Sequence, residues 1–257
     1  MARDLGIGPS RMPLVVVLSD AAQTRVNDRL ADLSFSFKHS DDAEFAPLTD
    51  VQWRAWPVQG GVYVTHPEFD RTGVYEFMVE LAEDGGERSG STFVQVNQES
   101  SAPAIGEQAP SSETKTASTV EEVQQISSAF EPDPEFYSIS LDDALNSGRP
   151  TVVLFSTPAY CTSQTCGPQM ETLGEVKETY GDRINFIHIE VWDNVREMLN
   201  TGDPSIGEVA QPVRDWGLIT EPWTFFIGAD GVITDRFEQF TTFEELNEAA
   251  QRLLPDA

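Results

Sequence analysis

Residues 151–156, TVVLFS, follow Pro150 as an apolar run with no polar alternation. A strand with one wet face alternates apolar and polar side chains. A strand without that alternation is covered on both faces, which calls for helices above and below a largely parallel sheet. The surrounding residues supply such helices. SLDDALNSG at 140–148 reads as a helix opened by Ser140 and closed by Gly148. Met170, Leu173, Val176 and Tyr180 recur near helical spacing after the run. RINFIHIEVW at 183–192 reads as another strand, and a helix-like stretch ends at Trp216–Gly217. TFFI, the turn GADG and VITDRF read as a hairpin. Thr242 and Glu245 fit a capping box, opening a last helix with Phe243, Leu246, Ala250 and Leu253 on one side. With a short strand at Tyr137–Ser140 in front, the expected order is βαβαβαββα.

The first 98 residues follow another period. LVVVL, LSFSF, VYVT, VYEFMVEL and TFVQV are separated by HSDD, PVQGG, FDRTG and EDGGERSG, the pattern of short strands and turns. Tyr75, Phe77, Val79 and Leu81 fall on one face of their run. Neighbouring runs lie roughly ten residues apart, which predicts a small all-β sandwich. GVY at 73–75, ahead of an alternating strand, resembles the late strands of immunoglobulin-like domains, although the cysteine pair of antibody domains is absent. Trp53 and Trp56 are expected in the core rather than in a binding patch. Between the halves, SSAPAIGEQAPSSETKTAST is rich in Ser, Ala, Pro and Thr and reads as a linker. Its AIGEQAP portion looks like the lead-in of redoxin domains and is expected to lie against the second domain. VEEVQQISSAF reads as a short helix. The expected layout is multidomain: a β domain at 1–98, a Ser/Pro-rich linker at 99–132 and an α/β domain at 133–257.

Charge narrows the partners. The 43 acidic and 16 basic side chains give a formal net charge of −27. Nucleic acids and anionic membrane surfaces need basic patches, so neither is an expected partner. PLVVVL at 13–18 is among the longest apolar runs, far below the roughly 20 residues of a transmembrane helix. It also fails as a signal peptide, since Asp20 follows at once. The two-domain layout points to an extracytoplasmic location, with a cytoplasmic one as the alternative.

Both cysteines of the chain sit in TPAYCTSQTCGP at 157–168, directly after the apolar strand. Backbone N–H groups at a helix N-terminus stabilise a thiolate placed there and lower its pKa. The spacing of Cys161 and Cys166 sets a geometric condition. Residues five apart on a regular helix have Cα atoms roughly 8.6 Å apart and side chains about 140° apart. A disulfide needs a Cα separation of about 4.4–6.8 Å. The pair therefore bonds only if Cys161 lies in the preceding loop or the first turn unwinds.

The element order, with both cysteines between the second strand and the second helix, resembles the thioredoxin-like family across residues 133–257. WGLITEPWTFFI at 216–227 is similar to the family's loop before its cis-proline strand, with Gly217 five residues before Pro222. CGP at 166–168 echoes the CGPC signature, with Gln169 in place of the second cysteine. TPAYCTSQTCG is also similar to the TPGCT..ACG region of Q-type peroxiredoxins, whose C-x4-C spacing it shares. That resemblance has departures. Pro158 and Leu154 stand where the peroxiredoxin pattern has threonine and proline, Thr157 is displaced, and Glu221-Pro222 replaces the later arginine.

The thioredoxin resemblance implies dithiol–disulfide exchange, with Cys161 as nucleophile and Cys166 as resolving thiol. It also implies a cis Pro222 and a place for Glu221 beside the nucleophile. Tyr160, Thr157, Trp223 and Thr220 are the expected substrate contacts. The expected partners are protein or small-molecule disulfides and thiols, with an external reductant or oxidant. The alternatives are a peroxiredoxin-like thiol peroxidase and a non-catalytic thioredoxin-fold interaction module. Neither a cofactor nor a metal is expected. No zinc ligand set is in evidence, and His188, mid-strand, reads as a satisfied core histidine.

Overall fold

The computed structural model describes residues 2–56, 60–83, 86–161 and 163–254. The chain divides into two compact units, Met1–Ser100 and Ser101–Ala257.

The first unit is built of short strands. β1 (Leu5–Gly6), β4 (Leu33–His39), β5 (Ala46–Pro47), β9 (Gly73–Glu83) and β10 (Gly86–Asn97) form one sheet in the order β1-β10-β9-β4-β5. β3 (Met12–Leu14), β6 (Gln52–Trp56) and β7 (Gly60–Thr65) form a second, β3-β7-β6, and β2 (Gly8–Pro9) pairs with β8 (Glu68–Phe69). Alternation along β9 turns Tyr75, Phe77 and Leu81 into the core. There the sheets meet, with Phe35 and Tyr63 ring centroids 5.2 Å apart and those of Trp53 and Tyr63 4.8 Å apart. Trp56 is buried as well.

Two expectations for this unit change. LVVVL is not one strand: β3 ends at Leu14, and Val15 and Val17 are 41% and 45% exposed. Residues 16–18 instead bond back to 24–26, through Leu18 N–H to Thr24 O and Val26 N–H to Val16 O. In EDGGERSG, residues 86–90 continue β10, so pairing with β9 overrides their turn composition. Residues 84–85, and residues 57–59 of PVQGG, lie outside the described residues.

The second unit has a thioredoxin-like fold. β11 (Thr151–Ser156), β12 (Asn185–Glu190), β13 (Trp223–Ile227) and β14 (Ile233–Glu238) form a mixed sheet in the order β12-β11-β13-β14. β12 runs parallel to β11, while β13 and β14 are antiparallel neighbours. β11 is covered on both faces. Val152 and Leu154 enter one core, shared with α3 (Cys166–Tyr180) and α6 (Phe243–Leu253). Val153 and Phe155 enter the other, shared with α2 (Leu141–Asn146) and α5 (Gln211–Asp215). Each such side chain contributes about 1.5–3 kcal/mol by leaving water. The Thr242–Glu245 capping box opens α6, but Phe243 lies at its exposed edge, and Ala249 joins Leu246, Ala250 and Leu253 inside.

The strand expected at 137–140 does not form. Pro134–Tyr137 is a 3-10 turn instead, with Pro134 in its first turn and the Asp133 carboxylate accepting Glu135 N–H at 3.0 Å, and both Phe136 and Tyr137 are buried. The polar stretch 101–132 is ordered along this unit. Gly106 N–H bonds to Ile233 O at 2.8 Å and Ala117 N–H to Tyr137 O at 2.9 Å. α1 (Val120–Ile126) carries a Thr119–Glu122 capping box, and Ala117 and Val123 fill slots in the first core. Average composition hides such isolated anchors.

Candidate functional site

Sheet register brings three loops to one edge. Phe155 pairs with Trp223, which puts Pro222 level with Ser156, and Ser156 pairs with Glu190 on the other side. The carboxyl ends of the parallel strands β11 and β12 share this edge, and open α/β sheets place their sites outside such strand ends.

The cysteine loop is short and held by its own hydrogen bonds. Tyr160 N–H donates to Thr157 O at 3.2 Å, and Gln164 N–H to Cys161 O at 3.2 Å. Gln164 has a φ of +59°, which turns the chain into α3. Cys161 and Cys166 form a disulfide with Cα atoms 6.0 Å apart. That is shorter than the roughly 8.6 Å of a regular helix because α3 begins only at Cys166. Cys161 is the half-buried partner and Cys166 is fully buried. The Cys166 N–H donates to Cys161 Sγ at 3.3 Å, and Ser163 Oγ lies 3.2 Å from the same sulfur. The first turn of α3 carries no acidic residue, so no carboxylate of that turn offsets the positive end of the helix dipole.

The Glu221–Pro222 peptide is cis. Pro222 O accepts Gln239 N–H at 2.9 Å, and Glu221 O accepts Gln239 Nε2 at 3.1 Å. Burial pushes the Glu221 carboxyl above its ordinary pKa. Tyr160 is half-buried on the cysteine loop.

Of the other expected contacts, Trp223 and Thr157 are buried and Thr220 is half-buried. Trp223 is 3% exposed and stacks on Phe225 at 5.4 Å. Its Nε1 donates to Thr220 Oγ1 at 3.0 Å, and that hydroxyl donates to Glu238 at 2.8 Å. Both side chains are engaged in internal bonds that link the Pro222 loop to β14. Thr157 is buried too, its hydroxyl turned towards Glu190 without a hydrogen bond of good geometry.

Behind the loop lies a buried polar group. Glu190 Oε2 accepts Ser128 N–H at 2.9 Å and Ser128 Oγ at 2.7 Å, and Ser128 Oγ accepts Ala159 N–H at 3.1 Å. His188 sits next to it, with Nδ1 2.6 Å from Tyr137 Oη and Nε2 2.8 Å from Ser156 Oγ. It is a satisfied core histidine. Burial lowers its pKa to about 4 and raises those of Glu190 and Tyr137. Sequence reasoning passed over Ser128 and Glu190. The available signal was an acid within the apolar run FIHIEV, which a strand buries only with a partner.

No family model and no curated protein matches the chain. Several solved structures are similar. A candidate thiol:disulfide interchange protein DsbE from Chlorobium tepidum is 16% identical with a TM-score of 0.42, over 59% of this chain and 98% of that one. A thioredoxin family thiol:disulfide interchange protein from Chlorobium tepidum TLS is 21% identical with a TM-score of 0.39, over 60% and 99%. StoA from Bacillus subtilis is 17% identical with a TM-score of 0.33, over 48% and 93%.

Proposed function

We propose that the protein is a thiol–disulfide oxidoreductase that works through Cys161 and Cys166. One observation carries this reading: a disulfide at a helix N-terminus joins a half-buried sulfur to a fully buried one. In the reduced protein the Cys161 thiolate, facing the Cys166 N–H, attacks a substrate disulfide. A new bond forms between Cys161 Sγ and one substrate sulfur, and the other leaves as a thiolate and takes a proton. The Cys166 thiolate then attacks Cys161 Sγ, which closes the internal disulfide and releases the second substrate thiol. Two electrons pass to the substrate, and an external dithiol restores the protein. Glu221, its carboxyl raised above its ordinary pKa by burial, serves as the group that holds and returns a proton in this reading. Tyr160 lines the approach to Cys161.

Turnover of insulin disulfides tests this assignment. Cys161→Ser is expected to abolish it, and Cys166→Ser to accumulate a mixed disulfide on Cys161, read by mass spectrometry. Thiol-dependent hydrogen peroxide consumption without disulfide turnover would replace the reading with a peroxidase. Absence of both would leave a binding module.

For the first unit we infer an immunoglobulin-like domain. β1 runs parallel to β10. The Tyr75 hydroxyl bonds back to Asp70 at 2.6 Å and to Arg71 O at 3.3 Å, like the corner tyrosine of such domains, and Phe77 stands where their second cysteine falls. The layout is a β domain at 1–98 and a redox domain at 133–257, with the connecting stretch 99–132 contributing Ala117 and Val123 to the redox domain's core. It fits an extracytoplasmic protein whose partners are polypeptide thiols and disulfides.

A further inference from the structure

Phe130 is 92% exposed. Large apolar side chains in water are common singly, but an exposed aromatic within an interface's reach of a reactive group is the type of residue that anchors a partner. Its backbone surroundings explain the position. Ser127 and Ser128, just before it, are buried. Ser127 Oγ accepts the Tyr137 hydroxyl at 2.9 Å and Ala129 N–H at 3.2 Å. Ser128 is bonded on one side to Glu190 and on the other to Ala159 of the cysteine loop. The chain is thus pinned two residues before Phe130, and its ring stands in solvent at the end of a fixed segment.

Chain length bounds the distance to the reactive sulfur. Phe130 is two residues beyond Ser128, and Cys161 is two beyond Ala159. Each such step spans at most about 7 Å, so the two Cα atoms lie within roughly 20 Å of each other. A protein partner covers about 800 Å² per side, a patch roughly 30 Å across. A polypeptide that presents its disulfide to Cys161 can therefore cover Phe130, whereas hydroxyethyl disulfide carries no apolar side chain to offer it and covers far less surface.

Resting on the exchange reading above, we propose that Phe130 selects the substrate: it engages an apolar side chain near the cysteine of a polypeptide disulfide and contributes nothing to small disulfides.

Steady-state kinetics of the full chain with insulin and with hydroxyethyl disulfide test this. Phe130→Ser is expected to raise KM for insulin about tenfold, equivalent to about 1.4 kcal/mol, with kcat unchanged and hydroxyethyl disulfide kinetics unchanged. Phe130→Leu should retain most of the affinity. An insulin KM within twofold of wild type in Phe130→Ser overturns the proposal alone. Equal losses towards both substrates overturn it too, by assigning Phe130 to the loop's integrity. Wild-type protein inert towards both disulfides overturns the exchange reading and the proposal with it.

Discussion

His188 and Glu190 stand two residues apart on β12, and burial moves them in opposite senses. His188 is depressed from 6.5 to about 4, so the folded state favours the neutral ring. The stability that this contributes is present above pH 6.5 and is lost as pH falls towards 4, by up to about 3 kcal/mol. Glu190 is raised, so the cost of ionising it in the fold grows as pH rises above 4.5, and acid relieves it. Urea unfolding in steps from pH 7 to pH 4 separates the two. His188→Asn should flatten the acid loss of stability, and Glu190→Gln should steepen it. Parallel curves for both variants and wild type would remove both residues from the pH response. At this scale the sequence exposed the cysteine pair and the core histidine, because each is marked by its own neighbours. Ser128 was illegible: its partner Glu190 is 62 residues away and its local composition suggests a tether.

At the scale of elements, α3 shows what the wide cysteine spacing does. The oxidised loop keeps Cys161 outside the helix at a Cα distance of 6.0 Å from Cys166. Reduction removes that constraint and leaves the Cys166 N–H, already 3.3 Å from Cys161 Sγ, facing a thiolate instead of a disulfide sulfur. Backbone amide shifts by NMR should differ between oxidised and reduced protein at 160–168 and agree over β12 and α6. Identical shifts in the loop would mean that no rearrangement accompanies the redox step. Legibility at this level followed burial. TVVLFS read correctly because six buried residues leave no alternation to misread. LVVVL is as apolar, but only Leu14 joins a strand and residues 16–18 pair with 24–26 in a loop, while Pro134 and the Asp133 cap set a 3-10 turn that runs to Tyr137, where a strand was expected to begin.

The whole molecule divides into units with separate cores. A chain of residues 101–257 should therefore unfold cooperatively on its own and retain disulfide exchange. One beginning at residue 133 should not, since it lacks Ala117 and Val123 from the core and the Ser112–Asp215 and Thr114–Ser140 bonds. Denaturation curves of the two fragments decide the matter, and a cooperative fold from 133 onward would reduce 101–132 to a tether. Sequence composition assigned that stretch by its average polarity, and the fold uses its exceptions.

The parallel pairing of β1 with β10 has a mechanical meaning. Leu5 lies against Val96 and Gly6 against Asn97, so tension applied at the two ends of this unit pulls neighbouring strands along their axes in opposite directions. Their rungs are then loaded together in shear rather than peeled one at a time, a geometry in which a β unit resists stretching.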